Sequence, residues 1–103
     1  MVHPYQGHYA YDATVIGKWD STAIGVYYCG YINSTDGLLY PHYIGKGTGE
    51  EGMRGRLLSH LREEYWPDVV HFGLCFCDTA AEADAFEVRE IKRCQPKCNK
   101  QHI

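Results

Sequence analysis

The chain has 103 residues, a mass of 11.8 kDa and a formal net charge of -3, from 13 acidic and 10 basic residues. This length fits one domain with one hydrophobic core. With 45% hydrophobic and 22% charged residues, the composition is that of an ordinary globular protein and excludes a disordered chain. The acidic total argues against the basic balance that is typical of nucleic-acid-binding proteins.

The chain also lacks the patterns of membrane and secreted proteins. Its longest apolar run is far shorter than the roughly 18 residues that a membrane span requires. Residues 1–5 have neither the basic nor the apolar region of a secretory signal. An odd number of cysteines, five in all, without such a signal favours reduced thiols over a disulfide framework. We therefore expect a cytoplasmic location and no membrane partner.

The first half of the chain predicts an N-terminal segment followed by a β-hairpin. Residues 1–23 are polar and aromatic with little periodicity, and we expect an arm or an added edge element before a single domain over residues 24–103. Residues 24–32 and 38–46 are rich in β-branched and aromatic side chains and flank a turn sequence, as in a hairpin. Pro41 has no amide proton, so we expect an edge position or an irregularity there.

The second half predicts two helices that flank a third strand. Apolar residues at helical spacing follow a glycine-rich connector and form one stripe: Met53, Leu57, Leu58, Leu61 and Tyr65. Residues 69–78 predict the third strand. Thr79 and Glu82 have the spacing of a capping box, which begins a second helix that ends near Cys94. The whole pattern predicts an α+β domain with a central antiparallel three-stranded sheet, in the order β-β-α-β-α.

Glu87 is an anomaly on the second predicted helix. It falls within the apolar arc, whereas Glu82, Arg89, Glu90 and Arg93 fall on the opposite arc. A carboxylate on a buried face is costly unless a cation or a metal ion neutralises it. Glu87 is therefore expected either to pair with a basic residue of a neighbouring element or to bind a metal ion. Asp84, one turn earlier on the same side, is interpreted as a surface or supporting carboxylate.

Polar and aromatic residues elsewhere could join Glu87. Arg56 and His60 are four residues apart, so they share one face of the first predicted helix. Tyr27 and Tyr43 lie in the two strands of the predicted hairpin. A carboxylate that binds a divalent cation, an arginine that neutralises a phosphate and a phenol or imidazole that takes a proton suit metal-assisted phosphodiester hydrolysis.

The ordered motifs of the chain resemble those of the GIY-YIG endonuclease family. The matching residues are Gly25-Val26-Tyr27, Tyr43-Ile44-Gly45, Arg56 with His60 one turn on, Glu87 and Asn99. The resemblance covers about residues 24–100. Val26 replaces the usual isoleucine, and the segment from Tyr43 to Arg56 is longer than the common spacing. That length leaves Arg54 as an alternative to Arg56, which we prefer because only Arg56 has a histidine four residues on.

The resemblance implies a divalent-metal-dependent endonuclease that hydrolyses DNA in one step. It implies that Glu87 holds one Mg²⁺ or Mn²⁺, that Arg56 contacts the scissile phosphate and that Tyr27 or Tyr43 activates the water. Tyr27 is our choice, although the family does not settle which phenol is the base. The supporting roles that follow are a hydrogen bond from His60 to a tyrosine or the phosphate, help to the phenol from Lys46, and bracing of the C-terminal segment by Asn99.

Two other functions compete with the enzyme. One is a non-catalytic nucleic-acid-binding or assembly module with the same fold, and the complete set of catalytic residue types argues against it. The other is a zinc-stabilised structural protein that uses Cys75, Cys77, Cys94 and Cys98. Cys75 and Cys77 are separated by one residue, which is shorter than the usual zinc knuckle, so we favour free thiols.

The net charge of -3 argues against nucleic-acid binding, but the distribution of charge along the chain favours it. Residues 43–62 carry four basic and two acidic residues, and residues 85–103 carry five and two, whereas residues 63–84 carry six acidic and no basic residues. The expected phosphate contacts are Lys46, Arg54, Arg62, Lys97 and Lys100. Such a small basic patch predicts weak DNA binding that falls as salt rises. Recognition would then come from the N-terminal arm, from homodimerisation or from a separate targeting partner.

Overall fold

A computed structural model describes residues 1–18, 23–63 and 69–96. This part of the chain is an α+β structure with three helices and one four-stranded antiparallel sheet. In chain order the elements are β1 (Gln6–Ala10), α1 (Ala13–Lys18), β2 (Gly25–Ile32), β3 (Leu39–Gly47), α2 (Gly52–Glu63), β4 (His71–Phe76) and α3 (Ala80–Cys94). No helix in these ranges is long and apolar enough to cross a membrane.

The sheet has four strands rather than the three that we expected, and its order is β1-β4-β2-β3. The additional strand, β1, comes from the N-terminal segment and pairs with β4 through Gln6↔Leu74 and Tyr9↔Phe72. Every residue of β1 is exposed, so the strand carries no alternation of buried and exposed positions. The short helix α1, also not predicted, adds the fully buried side chain of Ile16 to the core.

The hairpin of β2 and β3 forms in the expected part of the chain. Its register pairs Tyr27 with Gly45 and Cys29 with Tyr43, and it shifts between Cys29 and Gly30, where Gly30 faces Pro41. Because β3 lies at the edge of the sheet, Pro41 combines both features that its missing amide proton predicts. Because of this shift, the residues of β3 from Tyr43 onward pair with β2 in a different register from those before it.

Consecutive residues of β2 pack into two different cores because side chains alternate across a strand. Tyr27 and Cys29 contact α1 and α2 on one face, in a cluster that includes Met53 and Leu57. Val26 and Tyr28 contact α3 on the other face, in a cluster that includes Ile44, Cys75 and Ala83. The sheet thus separates two layers, and any cleft at its β3 edge can draw side chains from both.

Helix α3 begins as expected, and Ala83, Ile91 and Cys94 lie on its inner face as expected, but that face is rotated from the expected arc. Thr79 accepts a hydrogen bond from the Glu82 amide at 3.2 Å, and the Glu82 carboxylate reaches back to the backbone amides of Asp78 and Thr79, as in a capping box. Glu90, which we expected on the solvent arc, is only 6% exposed, and Val88 is 50% exposed. The apolar arc was predicted in the wrong position because it included several alanines. Alanine is as favourable on an exposed helix face as on a buried one, so it does not mark the buried face.

Candidate active site at the edge of the sheet

A cleft of about 630 Å³ lies where the end of β3 meets α2 and α3. Four of the residues that the sequence singles out line it: Tyr43, Lys46, Arg56 and Glu87. They come from three elements, and the glycine-rich loop between β3 and α2 adds Thr48, Glu50 and Glu51 to the walls. The fold therefore brings together one carboxylate, two cations and one phenol that are far apart along the chain.

Glu87 is the half-buried acid of the cleft, with 19% of its side chain exposed. Its Oε1 lies 3.9 Å from Nζ of Lys46, but Lys46 makes its tight ion pair with Asp84. Burial raises the pKa of the Glu87 carboxyl more than the attraction of Lys46 lowers it. The carboxylate is consequently desolvated without a short ion pair, which is a favourable place for a second cation.

Glu87 offers a single carboxylate oxygen donor group, of the type that magnesium takes in proteins. Mg²⁺ commonly binds through one or two carboxylates and completes its shell with water and substrate phosphates. Among the described residues no group of three or more His, Cys, Asp or Glu side chains could hold a metal ion by itself. Cys75, Cys77 and Cys94 are free thiols, and Cys98 lies outside the described residues. A metal at Glu87 would therefore need the substrate as a further ligand.

Arg56 lies between the cleft and two phenols. By its charge and by side-chain hydrogen bonding it lowers the pKa of both Tyr27 and Tyr43, although burial, the larger effect, keeps both values raised. The two phenol rings are neighbours, with centroids 6.3 Å apart. An arginine remains charged at any physiological pH and has five N–H donors, so Arg56 can hold a phosphate while it favours ionisation of a phenol.

The two phenols differ in their access to the cleft. Tyr27 is fully buried, and its hydroxyl lies 2.8 Å from Nε2 of His60. Burial, helped by the charge of Arg56, lowers the pKa of His60 to about 4, so the imidazole is neutral at neutral pH. Tyr43 is only partly buried and lines the cleft. The Tyr27–His60 pair therefore lies behind Tyr43, whose ring meets the imidazole edge-on at 5.3 Å.

Gly45 makes the close packing of these rings geometrically feasible. A Cβ at this position would lie 2.5 Å from the Tyr27 hydroxyl oxygen and 2.7 Å from a ring carbon of Tyr43. Distances below about 3 Å do not occur between a Cβ and a neighbouring atom. The final glycine of the Tyr43-Ile44-Gly45 motif is thus required by the two phenols rather than by backbone conformation.

Of the other residues that the sequence proposed for phosphate binding, the two that the structure describes, Arg54 and Arg62, do not line this cleft. Arg54 donates from Nη2 to the carbonyl oxygen of Gly17 at 3.1 Å and so ties α2 to α1. This contact supports Arg56 over Arg54 as the cleft arginine. Arg62 is exposed in the last turn of α2 and does not line the cleft. Lys97, Asn99 and Lys100 lie outside the described residues.

The structure adds roles for several polar residues near the sheet, among them Asp84, which the sequence indicated as a surface or supporting carboxylate. Glu50 and Glu51 line the cleft, and Asp84 holds Lys46. On the opposite face Tyr28 donates to Oε1 of Glu90 at 2.7 Å, and Arg93 makes two hydrogen bonds to the same carboxylate, both at 2.8 Å. The Glu90–Arg93 pair has the spacing of an ordinary surface ion pair, so only its burial distinguishes it.

No protein-family model, curated protein or solved structure matches this chain.

Proposed function

We propose that the chain is a divalent-metal-dependent endonuclease of the GIY-YIG type that hydrolyses phosphodiester bonds in DNA. The observation that supports this most is the convergence of Tyr43, Lys46, Arg56 and Glu87 on one open cleft. These residues supply an acceptor for a proton, two positive charges for a phosphate and a desolvated carboxylate for a divalent cation. Metal-assisted hydrolysis of a phosphodiester needs each of these parts.

Arg56 is proposed to bind the scissile phosphate. The group lies on the cleft wall beside two phenols that are neutral in the resting protein, and its charge also acts on the carboxylate of Glu87. Negative charge builds on the phosphate oxygens as water attacks, and a fixed cation close to them lowers the barrier. Lys46, on the same wall, adds a second positive charge that Asp84 holds in place.

Tyr43 is proposed as the group that takes the proton of the attacking water. It is the phenol that lines the cleft, and Arg56 favours its ionised form. Tyr27 and His60 are positioning residues in this proposal: their hydrogen bond anchors the rings against which Tyr43 packs. The choice differs from the sequence-based preference for Tyr27, because Tyr27 is fully buried.

Glu87 is proposed to hold one Mg²⁺ or Mn²⁺ together with the substrate. When bound, such an ion supplies charge neutralisation at the phosphate and lowers the pKa of a coordinated water. Glu87 itself contributes a carboxylate whose negative charge is only partly balanced by Lys46, and α3 holds it at the cleft wall.

The decisive experiment is nicking of supercoiled plasmid in the presence of Mg²⁺ or Mn²⁺. We expect the wild-type chain to nick, and Glu87→Ala and Arg56→Ala to lose activity while they retain the circular dichroism spectrum of the wild type. Arg54→Ala is the matched control, since Arg54 lies two residues from Arg56 but contacts α1. Glu87→Ala that nicks as well as the wild type would contradict the proposal. Binding of DNA by a wild type that never cleaves would identify a non-catalytic nucleic-acid-binding module instead.

A further inference from the structure

A second cleft, of about 670 Å³, lies on the α3 side of the sheet. The N-terminal segment forms one wall, the tip of the β2–β3 hairpin forms another, and α3 closes the third side. Its size falls in the range of small-molecule sites. The mechanism proposed above uses none of its residues.

The walls of this cleft are aromatic. Tyr5 and Tyr40 remain 43% and 40% exposed, and Phe86 of α3 lines the same space. Two of the rings are held in place: Tyr40 donates to the carboxylate of Asp36 at 2.6 Å, and Tyr5 meets the ring of Tyr28 edge-on at 5.6 Å. Exposed aromatic rings with fixed orientation are suitable surfaces for stacking a planar ring.

The floor of the cleft is polar and ordered. Tyr28 and Glu90 are each only 6% exposed and are hydrogen-bonded to each other at 2.7 Å. Arg93 is fastened to Glu90 by two bonds, yet its side chain is 65% exposed. Because a guanidinium has five N–H donors, Arg93 can present the others to an anion without releasing Glu90.

Two arginines lie near the α3 wall of this cleft, while the carboxylate of Asp36 lies at the hairpin wall. Arg89 lies over the ring of Phe86, with its guanidinium carbon 5.0 Å from the ring centroid. Two arginines thus accompany the single carboxylate of Glu90 around this end of α3. Stacking surfaces combined with arginines select a ligand that is planar at one end and anionic at the other.

We propose that this cleft binds one unpaired nucleotide, with its base against Tyr40 and Tyr5 and its phosphate at Arg93. The inference deepens the endonuclease proposal, on which its biological meaning rests, because it makes the preferred substrate a DNA with unpaired bases near the scissile bond. Glu87 of the first cleft and Arg93 of the second are six residues apart on α3, which spans about 9 Å. A stacked strand covers that distance with about three nucleotides.

The experiment measures binding of a labelled single strand by fluorescence anisotropy, in EDTA so that no cleavage occurs. Tyr40→Ala should weaken binding roughly tenfold, since loss of one stacked base costs about 5- to 150-fold in affinity. Tyr40→Phe keeps the ring but loses the hydrogen bond to Asp36 that fixes it, so it should bind more tightly than Tyr40→Ala and no more tightly than the wild type. Tyr9→Ala is the matched control, because Tyr9 has the same exposure, 39% against 40%, but does not line this cleft.

Two further arms separate the sources of the nucleotide. A fully paired duplex should bind equally to the wild type and to Tyr40→Ala. A nucleoside monophosphate that displaces the labelled strand from the wild type, but not from Tyr40→Ala, would show that the site also accepts a free nucleotide. Unchanged single-strand binding by Tyr40→Ala, or an equal loss in Tyr9→Ala, would overturn the inference.

Failure of this inference is distinguishable from failure of the proposed function. A chain that nicks plasmid in a Glu87-dependent manner but binds single strands independently of Tyr40 retains the endonuclease proposal and loses the nucleotide cleft. A chain that never nicks but binds single strands through Tyr40 retains the cleft and loses the endonuclease.

Discussion

Tyr27 and Tyr28 are neighbours in β2, point to opposite faces of the sheet and are each hydrogen-bonded to a buried group with an arginine nearby. Tyr27 pairs with the neutral imidazole of His60 beside Arg56, and Tyr28 pairs with the carboxylate of Glu90 beside Arg93. On the α3 face the charges cancel, and hydrogen bonds from Arg93 and Tyr28 lower the pKa of Glu90. At the first cleft, Glu87 has a raised pKa and no short ion pair.

The comparison teaches that a buried carboxylate marks a candidate active site only when its charge is left uncompensated. Glu90 is more deeply buried than Glu87. Its negative charge is nevertheless balanced by the hydrogen bonds from Arg93 and Tyr28. Glu87 is less buried but faces an open cleft with a desolvation cost that a bound cation would relieve. Substitutions can test this contrast between Glu87 and Glu90.

Replacing Glu87 by glutamine should lower the nicking rate by about 100- to 1000-fold, the usual cost of removing one group that stabilises developing charge. The free energy of unfolding should stay the same or rise slightly, because the variant no longer desolvates a carboxylate. Plasmid nicking and urea unfolding of the same preparations measure both quantities. Glu63→Gln, an exposed position at the end of α2, serves as the control. A loss of activity that merely follows a loss of stability would remove Glu87 from the site.

Substitutions of Tyr43, which lines the first cleft, and of Tyr27, which is buried behind it, should affect different properties. Tyr43→Phe should lower the nicking rate by about 100-fold, as expected for loss of a proton-transfer group, with little change in unfolding. Tyr27→Phe should instead cost about 1–2 kcal/mol of stability, because the buried His60 loses a hydrogen-bond partner. Kinetic and unfolding measurements on the pair decide between them. The reverse pattern would make Tyr27 the residue that activates water.

Acid should destabilise the protein through His60. Its folded-state pKa is lowered from 6.5 to about 4, so its contribution to stability is fully present above pH 6.5 and is lost as the pH falls towards 4. The expected loss is about 2–3 kcal/mol, measured by urea unfolding across that interval. His60→Gln should show a shallower pH dependence than the wild type, and the difference isolates the histidine from the carboxylates. Equal slopes would place the imidazole in a solvated environment.

Glu90→Gln should destabilise the protein by about 1–2 kcal/mol, since Arg93 loses a charge-assisted partner. Glutamine can still accept the hydrogen bond of Tyr28, so the fold should persist. Nicking at a temperature well below unfolding should match the wild type, in contrast to Glu87→Gln. If Glu90→Gln reduced nicking as strongly as Glu87→Gln, the distinction between the two carboxylates would fail.

The sequence predicted the elements whose side chains alternate or repeat clearly. The β2–β3 hairpin and β4 occur where β-branched and aromatic residues concentrate, and α2 and α3 occur where helical spacing and the capping pattern place them. The sequence did not predict β1 as a strand because all five of its residues are exposed. It did not predict α1 because this helix has a single buried side chain, Ile16. Such elements are stabilised by backbone pairing with a sheet or by one buried residue. Neither kind of contact requires apolar residues to repeat at a regular spacing in the sequence.

The candidate site was predictable in its residue types but not in its arrangement. The sequence indicated which residue types could act together, from the spacing of Arg56 and His60 and from the inward position of Glu87. It did not indicate how far apart their side chains would lie. Which phenol faces the cleft depends on the register of β2 and β3 and on the depth to which α2 covers Tyr27, and both are tertiary properties. Glu90 was misplaced because its pairing with Arg93, three residues on, is also what an exposed helix surface shows.

The edge position of β3 bears on how this protein behaves at high concentration. An edge strand offers unpaired backbone groups to any other strand, and such edges promote association between copies. Pro41 withholds one donor, and the register shift opposite Gly30 interrupts the regular ladder. Together they interrupt the template for sheet extension at the start of the strand that carries Tyr43 and Lys46. The same proline that marks an irregular hairpin thus makes this part of the edge a poorer partner for a strand of another chain.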